Sequence, residues 1–331
     1  MSITTASSWN RSKNRRKELS VPNGMLHTGI GRYRHHIIAD KNFTGGLELF
    51  FVGKEQPMTE IQLENAQVIA PFFRLAYDSC PEAFLQGVMG RGFCDSEEAP
   101  TYGIIQTGSF CYLGGNGEGN GKKNILNLLP TLQKNTNITA VPLSESWDEQ
   151  LMAHPSYRRR TRYAMNQPSL KYFNRNKLTT YISNVSYDPD YAGSNTTRKF
   201  VIKPIDEQYE KLIHKQFWCH PFTMNYGGYA NFSETGFGFV MLEGHTGKLA
   251  GATCSYSSSL DSIEIEIAVN PAFRKSGLGV ALASRMVLEC ISREKQPRWD
   301  ATDLVSVKLA EKLGFQLEEE YISYVSEIKH A

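Results

Sequence analysis

The sequence predicts an α/β (α+β) protein in which strands and helices are mixed along the chain. Three observations support this fold class. Apolar residues make up 40% of the 331 residues, with 17 Phe and 16 Tyr, which suits a packed core and excludes a disordered, collagenous or fibrous chain. The length fits two domains of about 100–200 residues each. The second half contains a meander of short strands followed by strongly periodic helices.

The charge of the chain is nearly balanced but unevenly distributed. With 36 basic and 34 acidic side chains, the net charge is +2, so we expect neither a nucleic acid nor a membrane surface as a partner. Residues 1–40 carry seven basic and two acidic side chains. We therefore separate residues 1–45 as a basic leader, either a disordered arm or a surface extension.

The six cysteines lie far apart, and none forms a C-x-x-C pair. This spacing excludes zinc-binding and thioredoxin-like motifs, so we expect buried free thiols and no metal. The start of the chain has no apolar signal segment, and no apolar run approaches the ~18 residues of a membrane span. These features predict a cytoplasmic protein.

The first predicted element is a helix that begins with a capping box of Thr59 and Gln62 and ends near Asp78. A later glycine-rich segment, Gly114 to Lys122, lacks the Gly-Lys-Ser/Thr ending of a phosphate loop, which favours a mobile hairpin loop. The other elements predicted in this half are strands at 84–94, 102–107, 109–113 and 138–141 and helices at 124–133 and 146–153.

Two interpretations remain open for the basic segment 158–163, which is either a solvated helix face or a contact with an anionic cofactor. The segment 184–199 is rich in Ser, Asn, Asp, Gly and Pro, which indicates the end of a linker. The second half has the clearest periodicity. Its predicted helices are 207–217, 279–295 and 305–313, the last one capped by Gly314, and its predicted strands are 237–243, 249–257, 263–269, 298–301 and 315–327.

The chemically informative unit is the strand 263–269 with the turn and helix that follow it. A turn at a helix N-terminus presents unpaired amides and the positive end of the helix dipole to an anion. Gly277 and Gly279 allow a phosphate to approach the backbone closely, and Arg274 and Lys275 add positive charge. The pattern therefore predicts a binding site for a polyanion.

These residues resemble the GCN5-related N-acetyltransferase (GNAT) superfamily, whose coenzyme A motif R/Q-x-x-G-x-G/A follows a strand that ends in Val. A second block, Pro297 to Ser306 followed by Leu309 to Phe315, is similar to the pattern W-D-x-x-N-x-x-S-x-x-L-A-x-K-L-G-F of one two-domain branch. That branch includes zwittermicin A N-acetyltransferase and related antibiotic self-resistance enzymes. The resemblance extends over roughly residues 55–325 and is weaker before the linker.

The resemblance implies two GNAT-like domains, each with a mixed, mostly antiparallel central sheet flanked by helices. Residues 46–190 would form a degenerate N-terminal domain with its linker, and residues 191–331 a catalytic domain that binds acetyl-CoA. Asp303 departs from the branch, in which Asn is usual, and an Asp accepts but cannot donate as the amide does. The resemblance assigns the coenzyme to Ile267, Ala268, Val269, Arg274, Lys275, Ser276, Gly277, Leu278, Gly279, Val280, Asp303 and Ser306.

The reaction implied by the resemblance is acyl transfer from a thioester to an amine, which must lose a proton before it attacks. Glu264 and Glu266 share one face of their strand and are our candidates for the base, although they equally suit binding of a cationic substrate or ion pairing with Arg and Lys. A backbone amide near Val269 is the expected oxyanion donor. The position of the usual tyrosine acid holds Ala310, so Tyr321, Tyr324 or water would protonate the leaving thiol.

We therefore predict an acetyl-CoA-dependent N-acetyltransferase without a metal, acting by direct attack on an amine of a small, cationic, antibiotic-like metabolite in self-resistance or detoxification. The chain would work as a monomer or a homodimer. Two alternatives stay open: a non-catalytic acyl-CoA-binding regulatory module, and an acetyltransferase of a protein amine. The cationic acceptor is suggested by an acidic cluster of Asp261, Glu264, Glu266, Asp300 and Asp303.

Overall fold

The computed structural model describes residues 58–74, 76, 79–132, 137–167, 169–187, 199–219 and 222–327. These residues belong to one compact unit, Phe51–Ala331. The predicted basic leader, residues 1–45, lies outside the described residues, as does most of the predicted linker. No helix in the described part of the chain is long and apolar enough to cross a membrane.

The first half of the described chain alternates strands with short helices. A 3₁₀ helix, Leu63–Phe73, follows the first strand. The strands are β1 (Thr59–Ile61), β2 (Arg91–Cys94), β3 (Tyr102–Thr107), β4 (Phe110–Gly115), β5 (Thr139–Pro142) and β6 (Tyr157–Asn166), and the helices are α1 (Ser79–Leu85), α2 (Asn120–Lys123), α3 (Ile125–Leu128), α4 (Glu145–Ala153) and α5 (Arg175–Val185).

The second half begins at β7 and repeats the same alternation. Its strands are β7 (Ser186–Tyr187), β8 (Phe200–Pro204), β9 (Gly238–Glu243), β10 (Leu249–Ser258), β11 (Ser262–Val269), β12 (Gln296–Ala301) and β13 (Gln316–Ser326). Its helices are α6 (Glu207–His214), α7 (Tyr229–Thr235), α8 (Leu278–Ser292) and α9 (Leu304–Leu313).

All these strands form one mixed, mostly antiparallel sheet, which the helices flank. Its order is β1-β2-β3-β4-β5-β13-β6-β12-β11-β10-β9-β8-β7. The last strand, β13, therefore lies inside the first half, between β5 and β6, while β6 lies between β13 and β12 of the second half. The two halves exchange one strand each, and β6 and β13 pair antiparallel from Tyr157↔Ser326 to Asn166↔Gln316.

The central helix α8 explains how the second half is held together. Its apolar residues face β9, β10 and β11 on one side, and α5 packs on another side. Eleven of its 15 residues are buried, including the charged Arg285, so the helix is covered on more than the single face that its sequence period predicts. Arg285 is accommodated because Glu289 accepts a hydrogen bond from it at 2.8 Å and the ring of Phe239 lies beneath its guanidinium.

Two predictions for the start of the described chain are wrong. Thr59–Ile61 is a strand, not the start of a helix, because it pairs with Arg91–Cys94. The 3₁₀ helix that follows has Gln62 at its N-cap without a side-chain capping bond. The first part of the predicted strand 84–94 belongs to helix α1, whose Phe84 is fully buried. Tertiary pairing and burial override the local capping signal here.

Two further segments also differ from expectation. The basic segment 158–163 belongs to strand β6, because β12 and β13 pair with it on both sides. The glycine-rich segment leads into α2 and then to β5, which runs parallel to β4, so it opens a crossover connection, not a hairpin. The predicted strands from Phe237 to Val269 and the helices after them are confirmed with shifts of a few residues at their ends. The six cysteines are free and buried, as expected.

The strand exchange predicts that neither half folds alone. A chain cut between residues 188 and 198 gives one fragment that lacks β13 and one that lacks β6. Each fragment therefore has a sheet in which one inner strand is missing. We expect the two fragments, when coexpressed, to copurify as a 1:1 complex, and each fragment alone to show no cooperative thermal transition by circular dichroism. A cooperative transition in either isolated fragment would show that the halves are independent domains.

Candidate active site

The site begins at a gap between two parallel strands. β11 and β12 pair only from Ser262↔Gln296 to Glu264↔Arg298, and beyond that point they diverge. On its other side β11 pairs with β10, and Asn270 N donates to Ala250 O at 2.9 Å. Because hydrogen-bonded residues alternate along an antiparallel ladder, the backbone groups of Ala268 and Glu266 face β10. Those of Ile265, Ile267 and Val269 therefore face the gap.

The turn after β11 lies at the open end of this gap. Asn270 accepts from Ala272 N at 3.0 Å and donates to Leu249 O at 3.1 Å, which fixes the chain as it leaves the strand. Lys275 and Gly277 then adopt positive φ angles of 62° and 80°. This left-handed geometry reverses the chain so that α8 begins with Leu278, and its first amides have no partner within the helix.

The predicted anion-binding residues are brought together at this turn. Arg274, Lys275, Ser276 and Gly277 lie at the surface, and the Nε of Arg274 reaches Val269 O at 3.5 Å. Leu278 and Val280 point into the core instead, so they offer only backbone groups. A 15-residue helix that starts beside two surface cations is a favourable place for a phosphate group.

Asp303 and Ser306 are joined by a hydrogen bond at the start of α9. Asp303 is the N-cap residue and accepts from Ser306 N at 2.8 Å, which accounts for an acid at this position because Asp is a strong N-cap. The hydroxyl of Ser306 accepts from Trp299 Nε1 at 3.0 Å. Ser306 faces the gap side of β12, whereas the carboxylate of Asp303 is committed to the helix.

A cavity of about 380 Å³ lies beside the gap and is built by both halves of the chain. The first half enters through the hairpin β3–β4, which is bound to Tyr256 of β10. The hydroxyl of Tyr256 donates to Thr107 O and accepts from Ser109 N, both at 3.0 Å. Tyr256 is placed for this contact by a bulge in β10. The cavity is lined by Cys80, Ser109, Phe110, Tyr112, Thr139, Arg162, Tyr256, Glu264, Ile265, Glu266, Ile267, Trp299, Asp300, Thr302 and Ser306.

Glu264 and Glu266 both line the cavity because they lie on the face of β11 opposite α8. Glu264 is 6% exposed. Glu266 stands opposite Cys254 of β10, and burial raises the pKa of its carboxyl to about 8. Removal from water disfavours the charged form, so this carboxyl is mostly protonated at neutral pH and titrates in the range where a general base is most effective.

The predicted acidic cluster does not form as one group. Asp261 is exposed in the turn between β10 and β11 and does not line the cavity, and Asp303 caps α9. Asp300 lines the cavity but accepts from Arg162 Nε at 2.7 Å, with both side chains mostly buried. Of the five predicted acids, the cavity therefore brings together Glu264, Glu266 and the ion-paired Asp300.

The tyrosines considered as proton donors lie outside the cavity lining. Tyr321 is 7% exposed and packs in the cluster that contains Ala164 and Tyr112. The hydroxyl of Tyr324 donates to Asp148 at 2.8 Å, and burial raises its pKa to about 12. The structure thus places neither hydroxyl against Glu266.

Most of the lining residues were not identified as site residues from the sequence, and Arg162, Phe110 and Tyr256 are the ones that matter most for the cavity. The basic segment that contains Arg162 was noted, but its place in the sheet depends on β12 and β13. The aromatic residues had no recognisable motif. Phe110 and Tyr256 contact edge to face with their ring centres 5.7 Å apart, so they form one aromatic wall.

The strand gap, the turn and the helix start are the features of one enzyme family, and the sequence comparison agrees. The family model described as GNAT acetyltransferase matches residues 70–324, and the chain belongs to this family. It is accordingly an acetyltransferase. GNAT enzymes use acetyl-CoA. No curated protein matches the chain.

Solved structures support the same fold. A GCN5-related N-acetyltransferase-like protein from Streptococcus suis is 26% identical, with a TM-score of 0.66, and the match covers 80% of this chain and all of that one. A tandem GNAT protein from the clavulanic acid biosynthesis pathway is 10% identical with a TM-score of 0.50, covering 83% and 100%. A glucosamine N-acetyltransferase region of a fungal multi-domain β-N-acetylglucosaminidase is 11% identical with a TM-score of 0.52, covering 81% and 38%.

The residues fit acetyl-CoA by two independent features. The diverging strands leave the backbone groups of Ile267 and Val269 unpaired by β12, which suits an extended amide-containing arm. The turn with positive φ angles at Lys275 and Gly277 suits a pyrophosphate. Among the described residues no group of three His, Cys, Asp or Glu side chains is arranged to hold a metal ion.

The two glycines of the turn are expected to differ in their effect on stability. Gly277→Ala places a Cβ in the left-handed region, and that Cβ would lie 3.3 Å from Val185 Cγ1. We expect it to lower the free energy of unfolding by about 1–2 kcal/mol. Gly279→Ala is the matched control, because its Cβ would meet only ordinary contacts at 3.7 and 3.8 Å. Urea unfolding measures both, and equal losses would show that the turn does not require its left-handed residue.

Proposed function

We propose that this enzyme transfers the acetyl group of acetyl-CoA to an amine of a small, cationic, antibiotic-like metabolite. The observation that carries the proposal is the cavity beside the strand gap, in which Glu264 and Glu266 face the aromatic wall of Phe110 and Tyr256. Acidic side chains at a cavity wall suit an ammonium group, which a carboxylate binds by a charge-assisted hydrogen bond. The self-resistance role and the branch with zwittermicin A N-acetyltransferase are supported by the sequence blocks 297–306 and 309–315.

The proposed coenzyme site uses mainly backbone groups. Ile267 and Val269 offer theirs to the pantetheine arm, while the backbone of Ala268 is directed to β10 and holds the strand in place. The first turn of α8 with Arg274 and Lys275 would hold the pyrophosphate. Ser306 offers its hydroxyl from the opposite strand side, and Asp303 contributes by capping α9.

When bound, acetyl-CoA supplies an acetyl thioester whose thiol, with a pKa near ~8.5, leaves without a side-chain acid. We therefore do not assign the proton of the leaving thiol to Tyr321 or Tyr324, and water serves instead. The amide of Val269 faces the gap and is the proposed donor to the developing oxyanion.

Glu266 is the proposed general base. Its raised pKa brings the carboxylate closer in basicity to the amine that it deprotonates, directly or through a water molecule. Neighbouring groups on β10 and on the loops before it, Cys254, Cys219, Tyr226 and Tyr256, are neutral at pH 7 because burial raises the pKa of each, so they do not lower the pKa of Glu266. Glu264 is the proposed site for the ammonium form before proton transfer.

The first half is proposed to shape the cavity and not to bind a second coenzyme. Its β4 and β5 occupy the places that correspond to β11 and β12 but stay paired from Phe110↔Thr139 to Leu113↔Pro142. Leu143 N then donates to Leu113 O, so the pair has no gap along these residues. Residues 46–190 would thus be a degenerate domain and residues 191–331 the catalytic one, joined by the exchanged strands.

The size of the cavity separates this function from its alternatives. A volume of about 380 Å³ between two halves suits a small amine better than a lysine on a folded protein. The binding-module alternative keeps the coenzyme site but requires no titrating base. A carboxyl whose pKa is displaced by burial, facing that cavity, favours an enzyme over a binding module.

A thiol-release assay with acetyl-CoA and a panel of alkylamines, polyamines and aminoglycosides tests the function. We expect turnover of a small amine, with kcat/KM rising with pH through a step near 8 as Glu266 loses its proton. Glu266→Gln should lower kcat by about 10²–10⁴-fold and abolish that step. Tight coenzyme A binding with no turnover of any amine would identify a binding module.

A stability measurement separates loss of the base from misfolding. A buried carboxyl with a raised pKa makes the folded state less stable as the pH rises from its unfolded value of about 4.5 to about 8, because the unfolded chain releases the proton first. Glu266→Gln should remove this loss and be more stable than the parent at pH 8. Glu234→Gln, an exposed change on helix α7, is the control that should alter neither profile.

A further inference from the structure

A guanidinium group also lines the cavity, and the acetyl-transfer chemistry does not use it. Arg162 lies in the middle of β6, the strand that the first half contributes to the second. Its side chain is 11% exposed, and its Nε donates to Asp300 at 2.7 Å. The guanidinium carbon lies 4.8 Å from the centre of the Phe110 ring. An ion pair and an aromatic face thus hold this group in one orientation.

The two terminal nitrogens of Arg162 carry N–H donors that no acceptor among the described residues uses. An arginine carries five N–H donors, and Asp300 takes the one on Nε. Within the described residues the terminal nitrogens have no hydrogen-bond acceptor, and they are not among the buried polar atoms that lack a partner, so they remain accessible. Because Arg162 lines the cavity, a ligand in the cavity can reach these donors. Planar paired donors of this kind match the two oxygens of a carboxylate.

The charged groups around the cavity allow an anion to bind at Arg162. Asp300 balances the guanidinium through one edge only, and an arginine can bind a second carboxylate through its other edge. Glu266 is largely uncharged at neutral pH, because burial raises its pKa to about 8, so it repels an anion weakly. A molecule that brought an ammonium group to Glu264 and a carboxylate to Arg162 would add no net charge to the cavity, and each of its charges would lie beside an opposite one.

We propose that the acceptor amine carries a carboxylate, which the terminal nitrogens of Arg162 bind while the amine faces Glu266. The inference rests on the proposed acetyl transfer to a small amine, and it replaces the net cationic acceptor of that proposal with an amino-acid-like one whose cationic amine is accompanied by a carboxylate. Arg162 is a specificity-determining residue in this arrangement, and Asp300 is a positioning residue that acts through it. The bound carboxylate determines how far the amine of the acceptor lies from the gap between β11 and β12.

The test uses a series of ω-amino acids with three to six carbons, each paired with the alkylamine that lacks the carboxylate and with the diamine that replaces it by a cation. The full chain is assayed for thiol release from acetyl-CoA. Binding of each compound is measured separately by the fluorescence of the tryptophans, one of which, Trp299, lines the cavity. We expect one chain length to bind and react roughly 10- to 100-fold better as the amino acid than as the alkylamine.

The variants assign that preference to Arg162. Arg162→Gln should abolish it, and Arg162→Lys, which keeps the charge without the paired donors, should retain part of it and serves if the first variant does not fold. Asp300→Asn leaves an acceptor for Nε but removes the competing charge, so it should tighten binding of the amino acid. Arg160→Gln, on the same strand but exposed, is the matched control and should keep the full preference.

The possible results separate the carboxylate site from the acetyl transfer. If no amino acid binds better than its alkylamine, or if the diamine is preferred, the proposal is wrong. If Arg162→Gln weakens the amino acid and the alkylamine equally, Arg162 serves the fold or the acyl donor, and the proposal is also wrong. If the amino acids bind through Arg162 but no compound is acetylated, the carboxylate site is supported and the proposed acetyl transfer fails.

Discussion

The antiparallel pairing of β6 with β13 is the contact on which the rest of the structure depends. It joins residues that lie far apart in sequence, from Tyr157↔Ser326 to Asn166↔Gln316, and makes one sheet out of two halves. On its other side β6 pairs with β12, which brings Arg162 within reach of Asp300, 138 residues later, and in the joined sheet the hairpin β3–β4 contacts Tyr256. Residues of both halves line the cavity, so the cavity depends on the continuous sheet.

The two halves of the same sheet differ in how one pair of parallel strands is hydrogen-bonded. Both contain two parallel strands joined by a crossover helix, but in the first half these strands remain paired along their length. In the second half the pairing stops after Glu264↔Arg298, and the backbone of β11 becomes available. A few backbone hydrogen bonds therefore distinguish the two halves, and under the proposed function they separate the half that shapes the cavity from the half that binds the coenzyme.

The parts of the fold that were predictable from the sequence are those whose pattern is local, within one element or one turn. Helix α8 and the strands from β9 to β11 have regular apolar periods, which predict their type and position. The turn with Gly277 and Gly279 directly follows β11, and the alternation along β11 places Glu264 and Glu266 on one face. Thr59–Ile61 and the basic segment of β6 are strands only because distant strands pair with them. Arg162 and Tyr256 were missed for the same reason, since their role depends on which residues lie across the cavity. The ion pair of Asp300 likewise required a distant partner, Arg162, that spacing does not reveal.

The position of β13 also has a consequence for the order in which the protein is made. The first half leaves the ribosome well before residues 316–326, yet its sheet needs them between β5 and β6. Until then the facing edges of these two strands have unpaired backbone groups, which are prone to bind other strands. The nascent first half must therefore wait for the last segment of the chain, so premature termination near the C-terminus would damage the earliest-made part of the protein as much as the latest.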